Sequence, residues 1–127
     1  MVNQTDFEKG REIRQQLFGQ RPSATGPSSM AQLAPDFADT VTEVVFGRTW
    51  GDPRLEIKLR SVAVISALIA LQRLPQLKTH IMNGLNVGLT KEEIIEIIKQ
   101  MAFYCGLPAA VNAFETAKAA FEESERK

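Results

Sequence analysis

The sequence predicts an all-α fold, and three observations carry that expectation. Apolar residues recur at intervals of three and four along nearly the whole chain, and no stretch shows the strict alternation of a half-buried strand. The tetrad Thr90-Lys91-Glu92-Glu93 has the form of a capping box: the threonine caps the amide of the third helical residue, and the acid reaches back. Glycines and prolines fall between the apolar segments, as helix stops and starts. The expected architecture is a bundle-like single domain over residues 1–127 with about six helices.

The first helix runs from about Asp6 to Phe18, setting Phe7, Ile13, Leu17 and Phe18 among charges, and Gly19 ends it. Residues 20–30, rich in Pro, Ser and Gly, read as a mobile linker to the second helix. That helix covers about Pro35 to Phe46, with Phe37, Val41, Val44 and Val45 at helical intervals and Gly47 closing it. The turn from Arg48 to Pro53 holds the only tryptophan, Trp50. Leu55 to Gln72 is the central helix. Between Val62 and Leu71 only Ser66 is not apolar, which predicts burial on most sides. Pro75 fits the first turn of a fourth helix, in which Leu77, Ile81, Gly84 and Leu85 share a face. His80 lies on the edge of that face, and Gly88 ends the helix. The fifth helix leaves the Thr90 cap and continues through Ile94, Ile95, Ile97, Ile98 and Met101 to Tyr104. Pro108 permits a new start, and a sixth amphipathic helix passes Phe114 and Phe121 into a charged tail.

Composition excludes several classes of function. Fifteen basic and fifteen acidic residues balance with no basic block, which disfavours nucleic acid as a partner. The first residues lack the basic-then-apolar order of a signal peptide. The apolar run from Val62 to Leu71 is shorter than the roughly 20 residues a bilayer span needs, so no membrane partner is expected. A single cysteine cannot form an intrachain disulfide, which fits a reducing cytoplasm. The apolar share is 44%, and two helices are apolar on more than one face. Self-association follows from that, because so small a chain cannot bury both faces against itself.

One stretch stands apart: Tyr104-Cys105-Gly106-Leu107-Pro108-Ala109-Ala110, where the only tyrosine and the only cysteine precede a break between two apolar helical patterns. A buried junction of this kind is a place for a small-molecule site between helices. One His and one Cys make no metal-ligand cluster, and serine-hydrolase and phosphate-loop patterns are absent.

Five segments in order resemble the carboxymuconolactone decarboxylase family from about Asp6 to Phe121. They are Phe46-Gly47-x-x-Trp50, Arg60-Ser61, Leu77-Lys78-x-His80, Asn86-x-Gly88-x-Thr90-x-x-Glu93-Ile94, and the Tyr104 to Ala110 stretch. The resemblance implies an all-helical, cofactor-free subunit of a homo-oligomer, a trimer or a hexamer built as a trimer of dimers. It implies an enzyme that decarboxylates a carboxylated unsaturated lactone, 4-carboxymuconolactone to 3-oxoadipate enol-lactone in aromatic catabolism. The same superfamily contains thiol peroxidases with an acid, a Cys-x-x-Cys pair and a histidine. At those positions this chain has Ser61, Arg73 and Gln76 before His80, so dithiol chemistry is excluded there.

Loss of CO2 from such a ring needs an anchor for the anionic groups, stabilisation of charge on the lactone oxygen, and a proton returned to carbon. With the resemblance, His80 is expected to be the general acid that reprotonates the ring or the donor that holds the oxyanion, since an unperturbed imidazole can do either at neutral pH. Read without it, a histidine on an apolar face is a core residue satisfied by a backbone carbonyl. Arg60 is assigned to the substrate carboxylates, or it pairs with Glu56 one turn back. Trp50, Tyr104, Cys105 and Ser61 are assigned to the substrate pocket. The plainer readings are a core plug for Trp50, a helix anchor for Tyr104 and a small apolar filler for Cys105. A non-catalytic oligomeric binding or stress-response module, or an enzyme acting on another small cyclic acid, is the alternative function.

Overall fold

In the computed structural model, residues 4–19 and 28–126 are described, and every regular element among them is helical. The elements are α1 (Asp6–Phe18), α2 (Ser29–Leu33), α3 (Pro35–Thr40), a π-helical segment (Val41–Trp50), α4 (Ile57–Leu71), α5 (Leu74–Asn86), α6 (Lys91–Cys105) and α7 (Leu107–Glu125). The chain divides between Ile57 and Lys58 into two compact units. Residues 20–27 of the expected linker lie outside the described residues. Its last part is helical instead: the Ser28 hydroxyl accepts from the Ala31 amide at 3.0 Å and starts α2.

The first unit is organised by a glycine crossing. A Cβ at Gly10 would lie 1.9 Å from the carbonyl oxygen of Thr42, and one at Gly47 would lie 1.9 Å from that of Asp6. Two backbones therefore touch where both side chains are missing. This corrects the expectation that Gly47 closes the second helix. The helix runs on to Trp50 with wider, π-type turns, and the Thr49 hydroxyl donates to the Val44 carbonyl five residues back at 3.0 Å. The run of β-branched Val41, Thr42, Val44 and Val45 holds a regular α-helix weakly, so the crossing has little local preference to overcome. Around it Phe18 meets Phe46 edge-on, ring centroids 6.4 Å apart, and Arg14 lies over both rings.

The second unit is held by an aliphatic core. Ile65 and Ile69 of α4, Leu77, Ile81 and Met82 of α5, and Ile94 and Ile98 of α6 close on the stripe Ala110, Ala113, Ala117 and Ala120 of α7. Small residues at that spacing let α7 lie close to its neighbours. The expected capping box is present: the Glu93 amide donates to the Thr90 hydroxyl at 3.0 Å, and the Thr90 amide donates to the Glu93 carboxylate at 3.0 Å. Gln72 has φ of 56° at the end of α4, and its carboxamide bridges the helices. Its Nε2 donates to the carbonyls of Ile69 at 2.7 Å and Ala109 at 3.3 Å, and Asn112 Nδ2 donates to its Oε1 at 2.8 Å.

Two burial expectations fail within one chain. The central helix, α4, buries only Ser61, Ile65 and Ile69, spaced four apart, while Leu59 and Leu71 are exposed. The α6–α7 junction is not interior either: Phe103 is 89% and Tyr104 79% exposed, and Leu107 is exposed beside them. Helical spacing fixed which residues share a face, but α7 covers its partners with alanines and leaves its larger apolar residues outward.

Gly10→Ala or Gly47→Ala is expected to lower stability by about 1–3 kcal/mol or more, because a backbone has to move to admit the methyl group; denaturant unfolding measures it. The Glu93 carboxyl is held below the usual carboxylate range, first by the Thr90 amide and then by Lys58, 3.3 Å away. A lowered folded-state pKa contributes stability above the ordinary glutamate range, and the contribution is lost as pH falls through the lowered value. Thr90→Ala is therefore expected to lower Tm at pH 7, with a smaller gap from the native protein at strongly acid pH.

Candidate active site

The site residues of the second unit begin with the contact of α4 and α5. Arg60 and Ser61 lie in the first turns of α4. Ser61 points inward on the stripe that continues with Ile65 and Ile69, and Arg60, one residue earlier, is half-buried. On α5, Leu77, Ile81 and Gly84 face the core. A Cβ at Gly84 would lie 2.8 Å from Leu89 Cδ1, 3.2 Å from Ser61 Oγ and 3.3 Å from Ile65 Cδ1. The missing side chain admits the serine, and Ser61 therefore packs against the turn that follows His80.

That turn gathers polar groups in an aliphatic interior. Ser61 and Asn83 are the buried polar residues among those described, both at 0% exposure. Ser61 Oγ has no hydrogen-bond partner among the described residues. His80 is half-buried, and its Nδ1 is buried. His80, Asn83 and Gly84 lie three and four residues apart, so they stack on one side of α5. A fully buried hydroxyl such as that of Ser61, with no partner among the described residues, is uncommon in native cores.

Tyr104 and Cys105 are not part of this cluster in one chain. They close α6 beside Ala109, which Gln72 ties to the C-terminal end of α4. Ser61 stands eleven residues before Gln72, about 16 Å along the helix at ~1.5 Å per residue. Cys105 is a half-buried free thiol. Trp50 belongs to the first unit, where it is buried and stacks on Phe46 with centroids 6.5 Å apart. A groove of about 490 Å³ in that unit is lined by charged residues including Asp6, Lys9, Arg48 and Arg54, and it contains none of the candidate residues. Arg48 and Arg54 are each ion-paired there, with Asp6 and Asp52.

Asn83 was missed by sequence reasoning. Its phase was the available signal: it falls between Ile81 and Gly84 on the inward face and one turn after the only histidine. Ser61→Ala is expected to fold with unchanged or higher stability, by up to about 1–3 kcal/mol, because it removes a buried hydroxyl that has no hydrogen-bond partner among the described residues. Thermal unfolding of the variant checks this.

The chain is similar to characterised proteins over most of its length. It is 28% identical over 123 residues to a 4-carboxymuconolactone decarboxylase of Acinetobacter baylyi, covering 97% of this chain and 92% of that protein. It is 26% identical over 107 residues to a nitrosuccinic acid decarboxylase of Metarhizium robertsii, covering 84% and 75%. An uncharacterised 15.0 kDa protein of Paracoccus denitrificans is 34% identical over 101 residues, covering 78% and 75%. The family model described as the carboxymuconolactone decarboxylase family matches residues 35–119, which include Trp50, Arg60, Ser61, His80, Tyr104 and Cys105. With the all-helical fold, these matches identify the chain as a member of the carboxymuconolactone decarboxylase family.

Proposed function

We propose that the chain is a cofactor-independent carboxy-lyase acting on a small carboxylated unsaturated lactone, with 4-carboxymuconolactone as the first candidate and 3-oxoadipate enol-lactone as its product. The observation that supports this reading is the stretch of α5 that carries the only histidine together with buried Asn83 and with Gly84, against which buried Ser61 packs. Two relatives named as decarboxylases of small acids support the reaction class.

In this reading Arg60 holds a substrate carboxylate through its fixed fork of N–H donors. The bond from the ring carbon to the departing carboxylate breaks, CO2 leaves, and the electron pair passes into the conjugated lactone. Charge on the lactone oxygen is met by N–H and O–H donors, with the Ser61 hydroxyl among them. His80 then delivers a proton to the ring carbon beside the lactone carbonyl, which leaves the double bond at the carbon that lost CO2 and gives the enol-lactone.

The protein works as a cytoplasmic homo-oligomer, a trimer or a hexamer. Support for assembly comes from the exposed apolar residues Phe103, Tyr104, Leu107 and Val111 around the α6–α7 junction. Tyr104 and Cys105, distant from Ser61 in one chain, enter the site through that assembly.

CO2 release from 4-carboxymuconolactone, measured beside the His80→Ala protein, tests the reading. Turnover in the native protein and a loss of about 100-fold or more in the variant are expected, the scale of a lost general acid. Equal rates in the two would remove His80 from the chemistry. No turnover by the native protein would move the assignment to another small acid, with nitrosuccinate tried next, or to a binding protein.

A further inference from the structure

The groove of about 490 Å³ in the first unit carries charge that neither the fold nor the reaction uses. Lys9 of α1, Arg48 near the end of the π-helical segment and Arg54 of the following turn line it, with the carboxylates of Asp6 and Asp52. Three cations therefore meet two carboxylates, in a chain whose basic and acidic residues balance. Both arginines are matched. Arg48 Nε donates to Asp6 Oδ2 at 3.3 Å. Arg54 Nε donates to the two Asp52 oxygens at 3.0 and 3.1 Å, and its Nη2 donates to one of them at 2.6 Å. Lys9 is the cation left over. It is half-buried, and its ammonium has no ion-pair or hydrogen-bond partner among the described residues. A Cβ at Gly51 would lie 3.0 Å from Lys9 Cγ, so the glycine leaves room for the lysine stem beside the groove.

The paired arginines keep donors in reserve. Among the described residues, nothing accepts from the two terminal nitrogens of Arg48 or from Nη1 of Arg54. The Asp52 side chain is 22% exposed and that of Arg54 89%, so the carboxylate holds the guanidinium from behind and leaves it outward. An arginine held in this way has lost freedom before a ligand arrives, which lowers the cost of binding. The terminal nitrogens of Arg48 form a planar edge that matches a carboxylate, while Lys9 adds a point charge. The groove has the volume of a small-molecule site, more than one inorganic anion fills. A ligand with two separated anionic ends suits it. We propose that this groove binds a small dicarboxylate, whose two ends are shared among Arg48, Arg54 and Lys9. The groove holds none of the residues given to the reaction, and its test needs no turnover.

Succinate is the probe, titrated into protein labelled with ¹⁵N-glycine. The chain has eight glycines, so the amide spectrum is simple. Gly47 and Gly51 report the groove, and Gly84 reports the buried turn at Ser61. Saturable shifts of Gly47 and Gly51 are expected, with Gly84 unmoved. Sodium chloride at matched ionic strength is the control, because exposed charges respond to salt alone. Lys9→Met keeps the aliphatic stem and removes the charge, and Arg54→Gln removes the outward guanidinium. Each is expected to weaken succinate by about tenfold or more, the factor for a lost hydrogen bond to a charged group.

Circular dichroism establishes that each variant is folded, and if one is not, the other decides. Still spectra at Gly47 and Gly51 would overturn the proposal, and so would shifts that sodium chloride reproduces. An unchanged affinity in the folded variants would overturn it too. If Gly84 moves as well, loss of the Gly47 and Gly51 shifts in the variants upholds the groove, and their persistence sinks it. Inorganic phosphate binding as tightly as succinate would overturn the assignment to a dicarboxylate. Succinate held here by a protein without decarboxylase turnover would uphold the groove and remove only the reaction.

Discussion

The polar turn of the second unit depends on the meeting of Ser61 with α5 at Gly84. A side chain at that position would crowd Leu89, Ser61 and Ile65 together, and the glycine leaves room for the serine. That meeting draws Ser61 out of solvent and into a core that is otherwise aliphatic. An unbonded buried hydroxyl costs about 1–3 kcal/mol. Full burial of one isoleucine contributes about 1.5–3 kcal/mol, so Ile65 on the next turn is enough to offset it. The polar turn is placed where the apolar stripe is continuous, and the packing that pays for it also fixes its geometry.

The first unit uses the same device for a different end. Gly10 and Gly47 bring backbone against backbone, and the helix that results widens into π turns and ends at a buried Trp50. Its aromatic cluster of Phe18, Phe46 and Trp50 sits beside that crossing, with Arg14 over two of the rings. In the first unit a pair of helices is set by what two glycines lack, and in the second Arg60, Ser61 and His80 are carried on regular helices rather than on loops. Side chains so placed lose little freedom when they act, which favours a site that works by position.

α7 distributes the apolar residues in an unusual way. Its inward stripe is alanine, and its larger residues, Leu107, Val111 and Phe114, are exposed together with Phe103 and Tyr104 of α6. Close helix packing inside one chain and a large apolar surface outside it therefore have a single cause in the sequence. The end of the unit that carries Tyr104 exposes apolar side chains, whereas the end that carries Ser61 encloses a polar one.

By itself the sequence determined the helices and most of their ends. Periodicity placed α1 and α4 to α7, and the Thr90–Glu93 box, Pro75, Pro108, Gly19 and Gly106 gave their limits. These signals are local, because caps and breakers act within one turn. Arg60, Ser61 and His80 were singled out through the family resemblance of their motifs, while residue type and spacing alone left Arg60 and His80 open to plainer structural readings. Only the tertiary structure decided that Gly47 is a crossing point, that Tyr104 and Cys105 lie far along α4 from Ser61, and that Asn83 is enclosed. Each depends on which helix lies against which, and at what height. Spacing along one helix fixes a face; the distance between two faces is fixed only when the chain has packed.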